Sequence, residues 1–404
     1  MAGPGEDVVR ANDIYRDKKK KKSISKFLGC ACMHGESLGV KDTMISLRVP
    51  DVIPSPTHDC ERIKKAFHGL GKDEKTIISI LGHRSTAQIR SIRETYEQLY
   101  NESLVYRLHH ELSGDFRKAV IMWTRDPHER DAKLANEALK SKKKKLKKLQ
   151  VLVEIACASA PHHLMAVRKA YCSLFDCSLE EDIISNAPQP LRKVRQQLFL
   201  WKVSLVALDG LVLKKNVVSN LYQLDLFKIG VREIFQVLLA IVSSYRYDKE
   251  LVDSTLANSD ALKLNEAVES KLLDSDEILY ILSTRNIYQL RTTFEFYQKN
   301  FGKPLDQDIM HCGHTDFELL LKSIIQCIQA PEKHFAEVIH TSIIGMGTDE
   351  STLTRAIVAR ADIDIEQIKS EYMNMYRSNL ASAVSGDTSG YYKKFLMTLI
   401  GAKN

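Results

Sequence analysis

Two short loops carry the most readable chemistry in this chain. Residues 345–350 run Gly-Met-Gly-Thr-Asp-Glu, and residues 69–74, 276 positions earlier, run Gly-Leu-Gly-Lys-Asp-Glu. Glycine accepts backbone shapes that other residues avoid, so paired glycines let neighbouring carbonyl oxygens converge without a Cβ clash. Carbonyl oxygens suit a hard cation such as Ca2+, which takes roughly 6–8 oxygens and usually at least one carboxylate. The carbonyls bring no net charge, so the carboxylate has to come from elsewhere. Glu111 follows Gly69 by 42 residues, and Asp387 follows Gly345 by the same 42. A lone Gly-x-Gly is an ordinary turn, but two such loops with equally spaced acids specify paired calcium sites. Thr348 is placed to cap the next helix, with Asp349 and Glu350 in its first turn. Lys72 stands where the second loop has Thr348. It removes a capping hydroxyl and puts a positive charge near the metal, which predicts a weaker first site.

Such distant loops need a framework that repeats. Segments 80–104, 154–179, 281–305 and 357–380 align. Arg84, Arg285 and Arg360 precede Tyr96, Tyr297 and Tyr372 by 12 residues, and Ser159 precedes Tyr171 likewise. Four residues after each tyrosine comes an aromatic (Tyr100, Phe175, Phe301, Tyr376), and four later a leucine (Leu104, Leu179, Leu305, Leu380). Steps of four mark one face of a helix. The fold class is therefore all-α, with four related units of about 75 residues stacked on one another. The units are offset by 75, 126 and 75 residues, so the middle step carries an excess. Residues 116–123 align with 191–193 continued by 237–242, which places an atypical insertion at 194–236. Its Val-Arg and Phe-Gln ends are compatible with a retained intron. The expected organisation is repeat one over 44–125, the start of repeat two over 126–193 and its end over 237–246. Repeat three spans 247–327 and repeat four 328–404. Residues 1–43, lysine-rich and polar, are expected to be a disordered extension before a natural start at Met44.

The repeated glycine loop with its acid about forty residues later resembles the annexins, over roughly 45–193 and 237–401. The stretches at 121–127 (Ile-Met-Trp-Thr-Arg-Asp-Pro), 243–247 (Ser-Ser-Tyr-Arg-Tyr) and 386–396 resemble plant annexins in particular. The resemblance implies five helices per repeat, a curved disc, and calcium on its convex face. It implies ligands from the carbonyls of Phe67, Gly69 and Gly71 with bidentate Glu111. It implies a second set from Ile343, Gly345 and Gly347 with bidentate Asp387. Leu70 and Met346, at the loop tips, would contact lipid. Repeats two and three depart from the pattern. They carry Lys142–Lys148 and Ser270–Asp274 at the loop, and Asn186 and Cys312 at the acid. No calcium site of this kind is expected in either, while Lys142, Lys143, Lys144 and Lys145 would meet an anionic lipid surface.

Composition sets the outer bounds. The chain has 404 residues and a net charge of +7, with lysine runs at 18–22 and 140–148 that favour anionic partners. Eight scattered cysteines, no secretory leader and no uninterrupted apolar run of spanning length predict a cytoplasmic, reduced protein. There is no EF-hand loop, no P-loop and no assembled catalytic triad. Cys30, Cys32 and His34 lack a second ligand pair and read as an inert tail. His83 matches a histidine invoked in peroxidase proposals for plant annexins, and Cys157 and Cys327 match cysteines discussed there as redox-sensitive. A structural histidine and buried small apolar residues are the preferred readings. The expected function is reversible, calcium-dependent binding of anionic phospholipid membranes, without enzymatic activity or nucleic-acid binding; the resemblance also suggests stress response. The alternatives are a calcium-permeable channel or channel regulator, and a weak peroxidase.

Overall fold

The computed structural model describes residues 49–50, 53–68, 72–141, 145–187, 233–313, 315–345 and 347–402. All of them belong to the compact unit Met44–Asn404. They form 20 helices, five per repeat. Repeat one comprises α1 (Pro56–Ala66), α2 (Glu74–Leu81), α3 (Thr86–Tyr100), α4 (Leu104–Glu111) and α5 (Gly114–Thr124). Repeat two comprises α6 (Pro127–Lys140), α7 (Lys145–Cys157), α8 (Pro161–Phe175), α9 (Leu179–Asn186) and α10 (Glu233–Val242). Repeat three runs α11 (Ser254–Glu269), α12 (Asp276–Thr284), α13 (Ile287–Phe301), α14 (Leu305–Cys312) and α15 (Asp316–Gln329). Repeat four runs α16 (Pro331–Ile343), α17 (Glu350–Arg360), α18 (Ile365–Tyr376), α19 (Leu380–Asp387) and α20 (Gly390–Leu399).

The spaced residues of the sequence repeat hold each unit together. Tyr96, Tyr171, Tyr297 and Tyr372 are buried on the third helix of their repeats. Each packs on the aromatic one turn later, with ring centroids 4.7–5.0 Å apart. Leu104, Leu179, Leu305 and Leu380 are buried first residues of the fourth helices. Between aromatic and leucine the chain reverses through Asn101, Asp176, Gly302 and Arg377, all left-handed (φ 49 to 79°). A positive φ at these C-caps stops one helix and aims the next.

Two cores result. Repeats one and four share one apolar cluster, from Cys60 to Trp123 and from Phe335 to Ile400. Repeats two and three share the other, from Ala132 to Ala187 and from Phe235 to Ile328. Helix α5 packs on α17 and α20, whereas α7 packs on α15 and α10. The chain's first and last repeats are thus neighbours in space.

The far boundary of the expected insertion shifts. Residues 233–236 are the first turn of α10, and Phe235 is buried in the core of repeats two and three. They belong to the fifth helix of repeat two. Residues 1–48 and 188–232, which hold the expected extension and most of the insertion, lie outside the described residues. No described helix is long and apolar enough to cross a membrane.

Candidate functional site

Both glycine loops join the C-terminus of a first helix to the N-terminus of a second. In repeat one the Asp73 amide donates to Ala66 O (3.1 Å), and in repeat four the Asp349 amide donates to Ser342 O (2.8 Å). These equivalent bonds close the loops. Asp73 then caps α2 by accepting from the Thr76 amide (3.0 Å), and Asp349 caps α17 through Thr352 (3.1 Å). The bonds from Thr76 hold the Asp73 carboxyl below the usual carboxylate range. The helix cap is therefore the aspartate and not Thr348. An aspartate carboxylate accepts from the backbone amide two or three residues further on, which frees the preceding side chain for another task.

That task is contact with the distant acid. Thr348 Oγ1 donates to Asp387, lying 2.5 Å from Oδ2 and 3.0 Å from the backbone oxygen. Asp387 is the last residue of α19, and Glu111 is the last residue of α4. Each site thus gathers the carbonyl ends of two helices, where unsatisfied oxygens and the helix dipole favour a cation. Gly345 and Gly347 adopt φ of 120° and 93°, and open space lies where a Cβ would stand on either. The donor set in repeat four is a hard carboxylate beside neutral backbone oxygens, with room for further oxygen ligands. It fits Ca2+. Among the described residues no three His, Cys, Asp or Glu side chains are grouped to hold a metal, so a site here draws mainly on backbone oxygens. Of the expected ligands, Phe67, Glu111, Ile343, Gly345, Gly347 and Asp387 are described. Gly69, Gly71 and the loop-tip residues Leu70 and Met346 lie outside the described residues.

Residues flanking both corners, with Asp387 itself among them, line one cleft. Glu74, Ser113 and Asp115 of repeat one and Glu350, Asp387 and Thr388 of repeat four line a shared cleft of about 320 Å3.

Repeat three handles the same corner differently. The Cys312 thiol, at the acid's position, donates to Val268 O (3.4 Å), the counterpart of Phe67 O and Ile343 O. The loop is a tight turn with Lys271 left-handed and the Leu272 amide on Ala267 O (2.9 Å). In repeat two, Asn186 turns its amide back to Asp182 O (2.9 Å). Lys142, Lys143 and Lys144 lie outside the described residues, as does the side chain of Lys145.

The three repeat arginines are structural in their contacts. Arg84 forms a buried two-bond pair with Asp59 (2.8 and 3.0 Å), and Arg285 forms a partly buried one with Asp260 (2.6 and 3.1 Å). Arg360 binds Asp364 and reaches Ala158 O in repeat two. His83 follows α2 and donates its backbone amide to Ile80 O. Cys157 and Cys327 are buried, and burial pushes both thiols up, Cys157 to about 11.

Two features were not read from the sequence. Arg107, one turn before Glu111, sets Nε 3.2 Å from its Oε1; the i,i+4 spacing was the available signal. A cavity of about 250 Å3 lies between repeats two and four; apolar residues such as Leu134, Val151 and Phe335 line it together with the charged Arg130, Asp131, Glu154 and Arg355. Burial opposes ionisation of Asp131, but Arg130 and His163 hold its carboxyl down at about 2, while burial pulls the Arg355 guanidinium down to about 10.

This architecture has known counterparts. The annexin family model matches residues 58–123, 259–324 and 334–399, the spans of repeats one, three and four. Annexin D3 of Arabidopsis thaliana is 47% identical over 363 residues, covering 89% of this chain and 100% of that protein. Among solved structures, annexin III superposes with a TM-score of 0.71 at 29% identity, over 89% of this chain and 98% of that one. A calcium-bound annexin (Sm)1 gives 0.67 at 25% identity, over 87% and 91%. The chain belongs to the annexin family, a group of calcium-dependent membrane-binding proteins that are in general not enzymes. Within that family it is a plant annexin.

Proposed function

We propose that this protein binds anionic phospholipid surfaces reversibly, through Ca2+ held at the first and fourth repeats. The observation that carries the reading is the duplicated corner. In each of two repeats a helix-ending acid, Asp387 or Glu111, meets the residue that follows the glycines, Thr348 or Lys72, and residues flanking both corners line one cleft. A planar partner could meet the two together. Phe67, Gly69, Gly71 and Glu111 would hold one ion, and Ile343, Gly345, Gly347 and Asp387 the other. The ion supplies the positive charge that links carboxylate and carbonyl oxygens to lipid phosphate. Asp387 and Glu111 provide the charged oxygens, and the glycines keep Cβ atoms away from the ion's open side. Leu70 and Met346 would enter the lipid interface. The protein acts in this reading as a cytoplasmic peripheral adaptor without enzymatic activity.

Sedimentation with vesicles of phosphatidylserine and phosphatidylcholine, in calcium and in chelator, tests this. Asp387→Asn and Glu111→Gln each keep the side chain's shape and remove its charge. Each should lower calcium-dependent sedimentation, and the double variant should lose it. A double variant that sediments like the parent in calcium would defeat the assignment.

A further inference from the structure

The two corners are built alike but charged differently. In repeat four the side chain facing the acid is the neutral Thr348, which binds both the carboxylate and the backbone oxygen of Asp387. In repeat one Lys72 makes the same two contacts: its Nζ donates to Glu111 O and lies 3.7 Å from Oε2. The second difference is one turn back along the acid's helix. Arg107 braces Glu111 Oε1, whereas its counterpart in repeat four is Ala383. Among the described residues Asp387 makes no ion pair, while Glu111 is bracketed by two cations, one on each oxygen. The backbone oxygen that Lys72 covers is one of the unsatisfied carbonyls ending α4.

We propose that Lys72 is a tethered counter-cation that occupies the repeat-one corner and has to be displaced before Ca2+ binds there. Ordered filling follows. The repeat-four site loads at lower calcium and the repeat-one site only at higher calcium. Membrane attachment therefore passes from one anchoring point to two as calcium rises. Displacement is feasible because the lysine side chain is 45% exposed and exposed ion pairs are weak. It is still a cost, because a divalent ion has to enter beside a positive charge and share a carboxylate already neutralised. The proposal rests on the calcium reading of these corners and adds the order in which they fill.

The test is equilibrium dialysis of the full chain with radioactive Ca2+ alone, without lipid. Asp387→Asn isolates the repeat-one site. On that background Lys72→Gln, similar in length and uncharged, should tighten calcium binding by about five- to tenfold, as expected for removing an exposed cation near a divalent ion. Lys72→Thr should do the same. The reciprocal change, Thr348→Lys on a Glu111→Gln background, should weaken the repeat-four site by a similar factor. If Lys72→Gln and Lys72→Thr leave the isolated site unchanged or weaken it, the lysine organises Glu111 and the proposal is overturned. The failure of the underlying reading looks different: saturable binding would persist in Asp387→Asn/Glu111→Gln. Thermal melting of each variant confirms that the fold is intact.

Discussion

Arg84→Met should be among the most damaging single changes outside the calcium corners. Asp59 and Arg84 clasp the base of the α1–α2 hairpin, whose tip is the repeat-one loop. They are 1% and 2% exposed and joined by two hydrogen bonds. Removing the arginine leaves a carboxylate buried without its partner, a change that costs about 3–5 kcal/mol. The repeat itself indicates what the framework tolerates. The corresponding positions are Leu134 and Ser159 in repeat two, and Phe335 in repeat four, where Arg360 sits over the Phe335 ring and binds Asp364. An uncharged pair therefore fits this corner. Asp59→Leu/Arg84→Met should lie within about 1 kcal/mol of the parent, because replacing both charges removes the desolvation penalty with the attraction. The measurement is urea unfolding of the four proteins of the cycle, followed by circular dichroism and tryptophan emission. Trp123, buried with its Nε1 on Leu81 O (2.8 Å), reports on this half of the molecule. If Arg84→Met costs under about 1 kcal/mol, or if the single effects simply add in the double variant, the pair is not coupled as described.

Two further outcomes follow from buried groups. His334, fully enclosed near Glu154, Gln150, Glu337 and Lys322, is pushed down by burial from 6.5 to about 4; at neutral pH its contact with Glu154 is thus made by an uncharged imidazole. The unfolded chain takes up this proton first, so the contribution is full above about pH 6.5 and is lost as pH falls toward 4, at about 1.4 kcal/mol per pH unit at most. Urea midpoints from pH 4.5 to 7.5 should show the slope, and His334→Gln should flatten it; an unchanged slope would exclude His334 as its source. Phe235→Ala should cost about 3–5 kcal/mol as a core truncation, and an unchanged thermal midpoint would return residues 233–236 to the insertion.

Much of the fold was legible because the repeat is written in large side chains. Tyrosine, aromatic and leucine at steps of four mark the buried face of a helix and the start of the next, and no partner choice is needed to read them. The equal spacing from Gly69 to Glu111 and from Gly345 to Asp387 was legible for a related reason: equal chain lengths between equivalent helices bring equivalent residues together. Hydrogen-bond partners were harder. Thr348 and Asp349 can both cap a helix, and only the approach of α19 decides that the threonine goes to Asp387. The same geometry puts Lys72 on Glu111, a contact across 39 residues. Cys312 on Val268 O depends likewise on two helix ends meeting. Phe235 was assigned to the insertion because Leu191–Lys193 matched the repeat, and local similarity does not reveal which of two apolar segments the core takes.

The partnership of the first repeat with the fourth has a consequence for how the molecule is made. Repeats two and three can close their shared core while the rest of the chain is still being translated. Repeat one leaves the ribosome first, yet the apolar surface that faces α17 and α20 has no cover until the C-terminal repeat emerges. At roughly 5–20 residues per second that interval lasts on the order of tens of seconds. A chaperone has its clearest opportunity there. A message cut short after repeat three would release a protein with half of one core exposed and only one of its two glycine-loop corners present, a product suited to degradation and poorly suited to binding membranes.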